Sequence, residues 1–114
     1  MWTVIFRPSF IHWLDRQPES LQDAMMASIR LLKNNGPNLC RPYCDTVEGS
    51  KFKNMKELRV QHHGHPYRAF FAFDPKRQAI VLCAGDKSGD KRFYKYMIPL
   101  AEKEYMCHLD EEIL

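Results

Sequence analysis

Arg59, Arg68, Lys87 and Tyr94 are the side chains on which chemistry could turn. Arg68 opens "YRAFFAFD", a run otherwise built of core residues, where a guanidinium is costly unless its head reaches solvent or an anion. Strand alternation puts Tyr67, Ala69 and Phe71 on one side and Arg68, Phe70 and Ala72 on the other. Two uses fit such an arginine. One is a structural ion pair with Glu57 on the preceding strand. The other is a guanidinium on a rigid strand, gripping phosphate through two parallel hydrogen bonds. Lys87 follows "AIVLCAGD", so a hairpin of residues 66–74 and 78–84 makes it a neighbour of Arg68. Arg59 lies on the strand before, and Tyr94 about two helical turns after Lys87. Together they offer positive charge for a developing phosphorane and a phenol able to stack on a base or pass a proton.

No acidic pair and no clear metal-ligand spacing accompanies this group, so phosphate chemistry is expected to run without a metal or other cofactor. Attack by an RNA 2′-hydroxyl on its own phosphodiester suits those parts, because the substrate brings the nucleophile. DNA lacks that hydroxyl and is expected to bind uncut. Cys40 and Cys44, separated by three residues, could join "HHGH" (His62, His63, His65) in a tetrahedral zinc site, though zinc knuckles space their cysteines by two. Cys83 and Cys107 read as core thiols, and no disulfide framework is expected.

The elements that must position these groups are legible from periodicity. "WTVIF" is an opening strand, and Ser9 is a plausible N-cap for the helix of "FIHWLDRQ". Pro18 suits the first position of a second helix, whose Leu21, Met25, Ile29 and Leu32 share one face up to Gly36. Residues 37–54, with Pro37, Pro42 and Gly49, read as a loop. "MKELRVQHH", "YRAFFAFD" and "QAIVLCA" then form a three-strand antiparallel meander with short turns. The last segment is helical, and Pro99 must kink it or start a second helix. The class is α+β: one domain over residues 1–114, with a small antiparallel sheet made of the N-terminal strand plus the meander. Two N-terminal helices and a C-terminal helix pack on one face of it.

Charge is distributed unevenly. Residues 51–68 carry Lys51, Lys53, Lys56, Arg59 and Arg68 against Glu57, and residues 86–96 add Lys87, Lys91, Arg92 and Lys95 against two aspartates. The tail from Glu102 has five acids and one lysine. A basic middle suggests a polyanion on one face. A hydrophobic fraction of 45% and no run of about 18 apolar residues exclude a disordered chain and a membrane helix. "MWTVIFRPSF" lacks signal-peptide features, so a cytoplasmic location is expected.

The order of elements, with "KELR", "YRAFFAFD", "AIVLCAGDKSGDKRFY" and "AEKEY", resembles the RelE/ParE superfamily of bacterial toxins. Within it, the likeness is to the HigB-like, RelE-type toxins, and it runs from "FIHWL" to about Tyr105. The resemblance implies the toxin of a type II toxin–antitoxin system: an mRNA endoribonuclease, commonly ribosome-bound, that inhibits translation. Its partner would be a cognate helix-turn-helix, HigA-like antitoxin. Residue by residue, it implies catalytic roles for Arg68, Lys87 and Tyr94, with Phe93 an alternative to Tyr94. RNA contacts are expected from Arg59, Lys56, His62, His63, Lys91, Arg92 and Phe93. The relatives often carry lysines where "VQHHGH" stands here, so His62 or His63 becomes a candidate general base. Two other readings stand beside the ribonuclease: a ParE-like poison of DNA gyrase acting by protein contacts, and a non-catalytic RNA-binding module in which Phe93 and Tyr94 stack bases.

Overall fold

A computed structural model of the chain describes residues 1–113. The elements are β1 (Thr3–Phe6), α1 (Pro8–Asp15), α2 (Glu19–Asn35), β2 (Cys44–Thr46), β3 (Met55–His62), β4 (His65–Phe73), β5 (Gln78–Asp86) and α3 (Phe93–Ile113). The five strands form one sheet in the order β1-β5-β4-β3-β2. The meander β3-β4-β5 is antiparallel as expected, and β1 joins its edge parallel to β5, Thr3 facing Gln78 and Phe6 facing Val81. The fold is α+β.

Alternation along the central strands buries both faces of the sheet. Leu58, Val60, Ala69, Phe71 and Val81 meet Phe10 of α1 and Met25, Ile29 and Leu32 of α2. Met55, Phe70, Ala72, Ile80, Leu82 and Cys83 meet Phe93, Ala101 and Tyr105 of α3. The helices therefore lie on two faces, α1 and α2 on one and α3 on the other. This corrects the one-face arrangement expected from the sequence. The reason is visible in β4 and β5, which are apolar on both sides and need a cover on each. A bulge in β5 at Leu82 turns Leu82 and Cys83 to the same side, so Phe71 pairs with Val81 and Phe70 with Cys83.

Three local expectations are also revised. The span 37–54 contains the short edge strand β2, paired to β3 with Cys44 opposite Leu58. Arg7, not Ser9, precedes the first turn of α1, with Pro8 at the first helical position where a missing N–H costs nothing. The Ser9 N–H is instead taken by Glu104 Oε2 at 3.1 Å. Pro99 lies inside a continuous α3. It and Lys95, whose carbonyl it leaves without a donor, are both on the exposed side, where water can serve that carbonyl.

At the far end of α3, His108 Nε2 donates to Asp74 Oδ2 at 2.9 Å, both side chains buried, which latches the helix to the β4–β5 turn. Among the described residues, no helix is long and apolar enough to cross a membrane.

Candidate active site

The β3–β4 hairpin closes through His63 and Gly64, both with positive φ (48° and 80°), a two-residue turn whose twist suits adjacent antiparallel strands. That turn fixes the register: Arg59 faces Arg68, and Glu57 faces Phe70. All three charged residues then point to the α3 side of the sheet. On the other flank Arg68 faces Gly85 of β5. A Cβ at Gly85 would come within 3.1 Å of the Phe93 ring. The missing side chain lets the first turn of α3 settle onto the sheet, which delivers Tyr94 to Glu57. The Tyr94 phenol donates to Glu57 Oε1 at 2.7 Å.

Glu57 is 5% exposed and Arg68 6%. Glu57 Oε2 lies 3.7 Å from Arg68 Nε and 3.8 Å from Arg59 Nε, close enough for charge attraction but too long for hydrogen bonds. Among the described residues neither Nε has a hydrogen-bond partner, while Nη1 of Arg68 donates to the Tyr67 carbonyl at 3.0 Å. Buried N–H groups normally find acceptors. Lys87 Nζ stands 5.7 Å from the centre of the Tyr94 ring. Two arginines thus face one carboxylate with an unfilled donor on each, and a third cation stands over the neighbouring phenol ring: a site with capacity for a further anion. Burial, and next the bond to Glu57, push the Tyr94 phenol up to about 12, with Arg68 acting in the opposite direction. The phenol keeps its proton at neutral pH.

The structure thereby gathers Arg59, Arg68, Lys87 and Tyr94 in one cluster and adds Glu57, which the sequence offered only as an ion-pair partner. Lys91 and Arg92 lie exposed on the loop from Lys87 into α3. A cleft of about 320 Å³ flanks Tyr94, lined by Gly49, Lys95, Ile98, Pro99 and Glu102.

Other expected contacts fall elsewhere. Phe93 is 4% exposed, packed on Phe70 and under Gly85, so it is a core residue and presents no face on which a base could stack. Lys56 projects to the opposite face, its Nζ 3.5 Å from Thr46 Oγ1. His62 shares that face, with Nε2 3.1 Å from Ser20 Oγ of α2, and its ring stacks on His63 at 4.0 Å. Neither strand alternation nor these contacts bring His62 to the Tyr94 side. Among the described residues the group of His, Cys and carboxylate side chains close enough to share an ion is Asp74, His108 and Glu112; Cys40 and Cys44 are not in it.

The family of phage-derived Gp49-like proteins (DUF891) matches residues 12–106. The chain is 44% identical over 101 residues to the toxin HigB3 of Mycobacterium tuberculosis, covering 88% of this chain and 87% of that protein. The chain belongs to the Gp49-like family of HigB/RelE-type toxins. Toxin HigB2 of the same organism is 42% identical over 99 residues, 85% of this chain and 49% of HigB2. The crystal structure of the isolated E. coli RelE toxin superposes with a TM-score of 0.61, covering 85% of this chain and 96% of RelE. A mutant of E. coli RelE in the free state, with two arginines changed to alanine, gives 0.58, covering 84% and 94%. At 7% identity these two establish a shared fold. The Gp49-like match includes Glu57, Arg59, Arg68, Lys87 and Tyr94, so the whole cluster lies within the family region of this HigB/RelE-type toxin.

Proposed function

We propose that this HigB/RelE-type toxin is a metal-independent mRNA endoribonuclease that works as a single domain, on ribosome-bound message, and thereby stops translation. The observation that carries this is the pair of arginines whose buried Nε donors are unfilled, one step from a phenol hydrogen-bonded to a carboxylate.

The cluster suits transfer of a phosphodiester to the adjacent 2′-hydroxyl. Arg59 and Arg68 present N–H groups to the phosphate, and Lys87 adds positive charge as the phosphorane forms. The 2′-hydroxyl passes its proton to Tyr94 Oη while the Tyr94 proton moves to Glu57 Oε1, so the phenol never has to carry a free negative charge. The bond from phosphorus to the 5′-oxygen breaks, and that oxygen takes a proton from solvent. The products are a 2′,3′-cyclic phosphate and a 5′-hydroxyl. Glu57 replaces His62 and His63 as the proton acceptor in this reading, because it is the carboxylate in contact with the phenol. Lys91 and Arg92 extend the basic surface along the RNA backbone.

The partner that restrains such a toxin is a cognate antitoxin, of HigA-like helix-turn-helix type, acting in the cytoplasm. Primer extension on cellular mRNA after induction tests the reading. New 5′ ends in translated frames are expected, lost with Arg68→Ala. Growth arrest that survives Arg68→Ala, with falling gyrase supercoiling and intact message, would support gyrase poisoning instead.

A further inference from the structure

The histidines of "HHGH" go to different places, and one of them touches the segment that carries Lys87. His65 opens β4, and its Nδ1 lies 2.9 Å from Asp86 Oδ2 and 2.9 Å from Ser88 Oγ. Asp86 and Ser88 are the two chain neighbours of Lys87. Asp86 Oδ1 in turn accepts the Ser88 N–H at 2.8 Å, and the Lys87 N–H is given to the Pro66 carbonyl at 2.8 Å. One imidazole therefore grips the chain on both sides of a single lysine, while the backbone beside that imidazole holds the lysine's own amide.

This segment needs holding. Lys87 is followed by Ser88, Gly89 (φ 62°), Asp90, Lys91 and Arg92, all exposed, before α3 begins. A lysine head is a point charge on four rotatable bonds, so its position is only as good as the backbone beneath it. Alternation along β4 sends His65 to the α1–α2 side with Tyr67, whose ring centre is 6.3 Å from it, away from the arginines and Tyr94. His65 thus has no route to the reacting atoms and acts through its neighbours. Burial alone would raise the Asp86 carboxyl, yet the Ser88 and His65 hydrogen bonds outweigh it and hold the group below its ordinary value, as expected of a carboxylate that is a working part of a clasp.

We propose that His65 is a positioning residue: by clasping Asp86 and Ser88 it fixes the intervening Lys87, and so sets the ammonium over the Tyr94 ring at the edge of the arginine cluster. The kinetic part rests on the ribonuclease reading above; the structural part does not. The Nδ2 of an asparagine occupies nearly the place of an imidazole Nδ1, so His65→Asn keeps the donor and His65→Ala removes it.

Two measurements on the purified full chain decide the matter. In amide hydrogen exchange, His65→Ala is expected to speed exchange at Lys87 and Ser88 by about tenfold or more, with β3 and α2 unchanged and His65→Asn close to wild type. In cleavage of ribosome-bound RNA, His65→Ala is expected to lower kcat by about tenfold or more while KM moves little, with His65→Asn restoring it. In a Lys87→Ala background His65→Ala should then add nothing, since its route to the phosphate is already gone. Unchanged exchange at Lys87 and Ser88 overturns the clasp. A full additional loss in the Lys87→Ala background, or no rescue by His65→Asn, overturns the assignment of its effect to Lys87. Should the wild-type chain cut no RNA, the ribonuclease reading fails, and the exchange data still decide the clasp on their own.

Discussion

The Tyr94 phenol, at the start of α3, donates a 2.7 Å hydrogen bond to Glu57 Oε1 on β3, joining residues 37 apart in sequence. The same carboxylate sits 3.7 Å from Arg68 Nε. A phenol, a carboxylate and a guanidinium are thereby tied into one unit on the α3 face of the sheet. Each member can be removed separately, and stability and chemistry should then part company.

Tyr94→Phe removes the phenol and leaves the ring. The fold is expected to persist, losing about 1 kcal/mol or less by urea denaturation. Cleavage should slow by about 100-fold or more in single-turnover assays. A phenylalanine enzyme with near wild-type turnover would remove the proton relay from the mechanism.

Glu57 should matter to the fold as well as to the chemistry. Its loss strands two arginines that have few other acceptors, so Glu57→Ala is expected to cost about 3–5 kcal/mol in urea unfolding. Glu57→Gln keeps the shape and one acceptor and should cost less, while still abolishing cleavage. If Glu57→Ala were as stable as the parent, the ion pairs around it would contribute nothing.

Much of this site was legible in the sequence, and the limits have physical causes. Once His63-Gly64 is taken as a two-residue turn, His62 must face His65, so Arg59 faces Arg68 and Glu57 lies beside them. Counting back from that turn would have put Glu57 in the cluster and His62 out of it. Period two placed Arg68 with Phe70 correctly and drew Lys87 toward Arg68 through the β4–β5 hairpin. It could not separate Phe93 from Tyr94, because both are aromatic and adjacent; only the gap left by Gly85 decides which one is buried. The β2 strand was hidden because three residues carry too little pattern to register. The two-sided cover of the sheet follows from β4 and β5 being apolar on both faces, a pattern that needs a helix on each side.

Alkali should loosen the protein through Tyr94. Its phenol is raised to about 12, first by burial and then by Glu57. A group raised on folding stabilises fully below its unfolded value, about 10 for tyrosine, and that support is lost as pH climbs through the folded value. Stability should therefore fall from about pH 10 to about 12, and Tyr94→Phe should flatten the slope. An identical slope in the variant would locate the effect elsewhere.

Acid acts at the other end of α3. Burial alone would raise the Asp74 carboxyl, but hydrogen bonds from His108 and from the backbone and side chain of Gln78 hold it below its ordinary value. A lowered carboxyl stabilises above its unfolded value, about 3.9, and the benefit disappears as pH falls through the folded one. Urea unfolding between neutral and strongly acidic pH should show a loss that Asp74→Asn removes, together with a lower plateau at neutrality for that variant.

Gly85→Ala probes the seat of α3. The new methyl would press on the Phe93 ring at 3.1 Å, and overpacking of this kind costs about 1–3 kcal/mol. Because Phe93 precedes Tyr94, the cleavage rate should fall more than stability alone explains, read as kcat at a temperature where the variant is fully folded.

The most direct measurement follows a synthetic mRNA carrying one 2′-deoxynucleotide at the cleavage position, with ribosomes supplied and the product ends identified by mass spectrometry. Wild-type RNA should yield a 2′,3′-cyclic phosphate and a 5′-hydroxyl, and the deoxy substitution should block the cut entirely. Cleavage of the deoxy strand at an undiminished rate, or ends bearing a 5′-phosphate, would contradict transfer to the 2′-hydroxyl by the Arg68–Glu57–Tyr94 cluster.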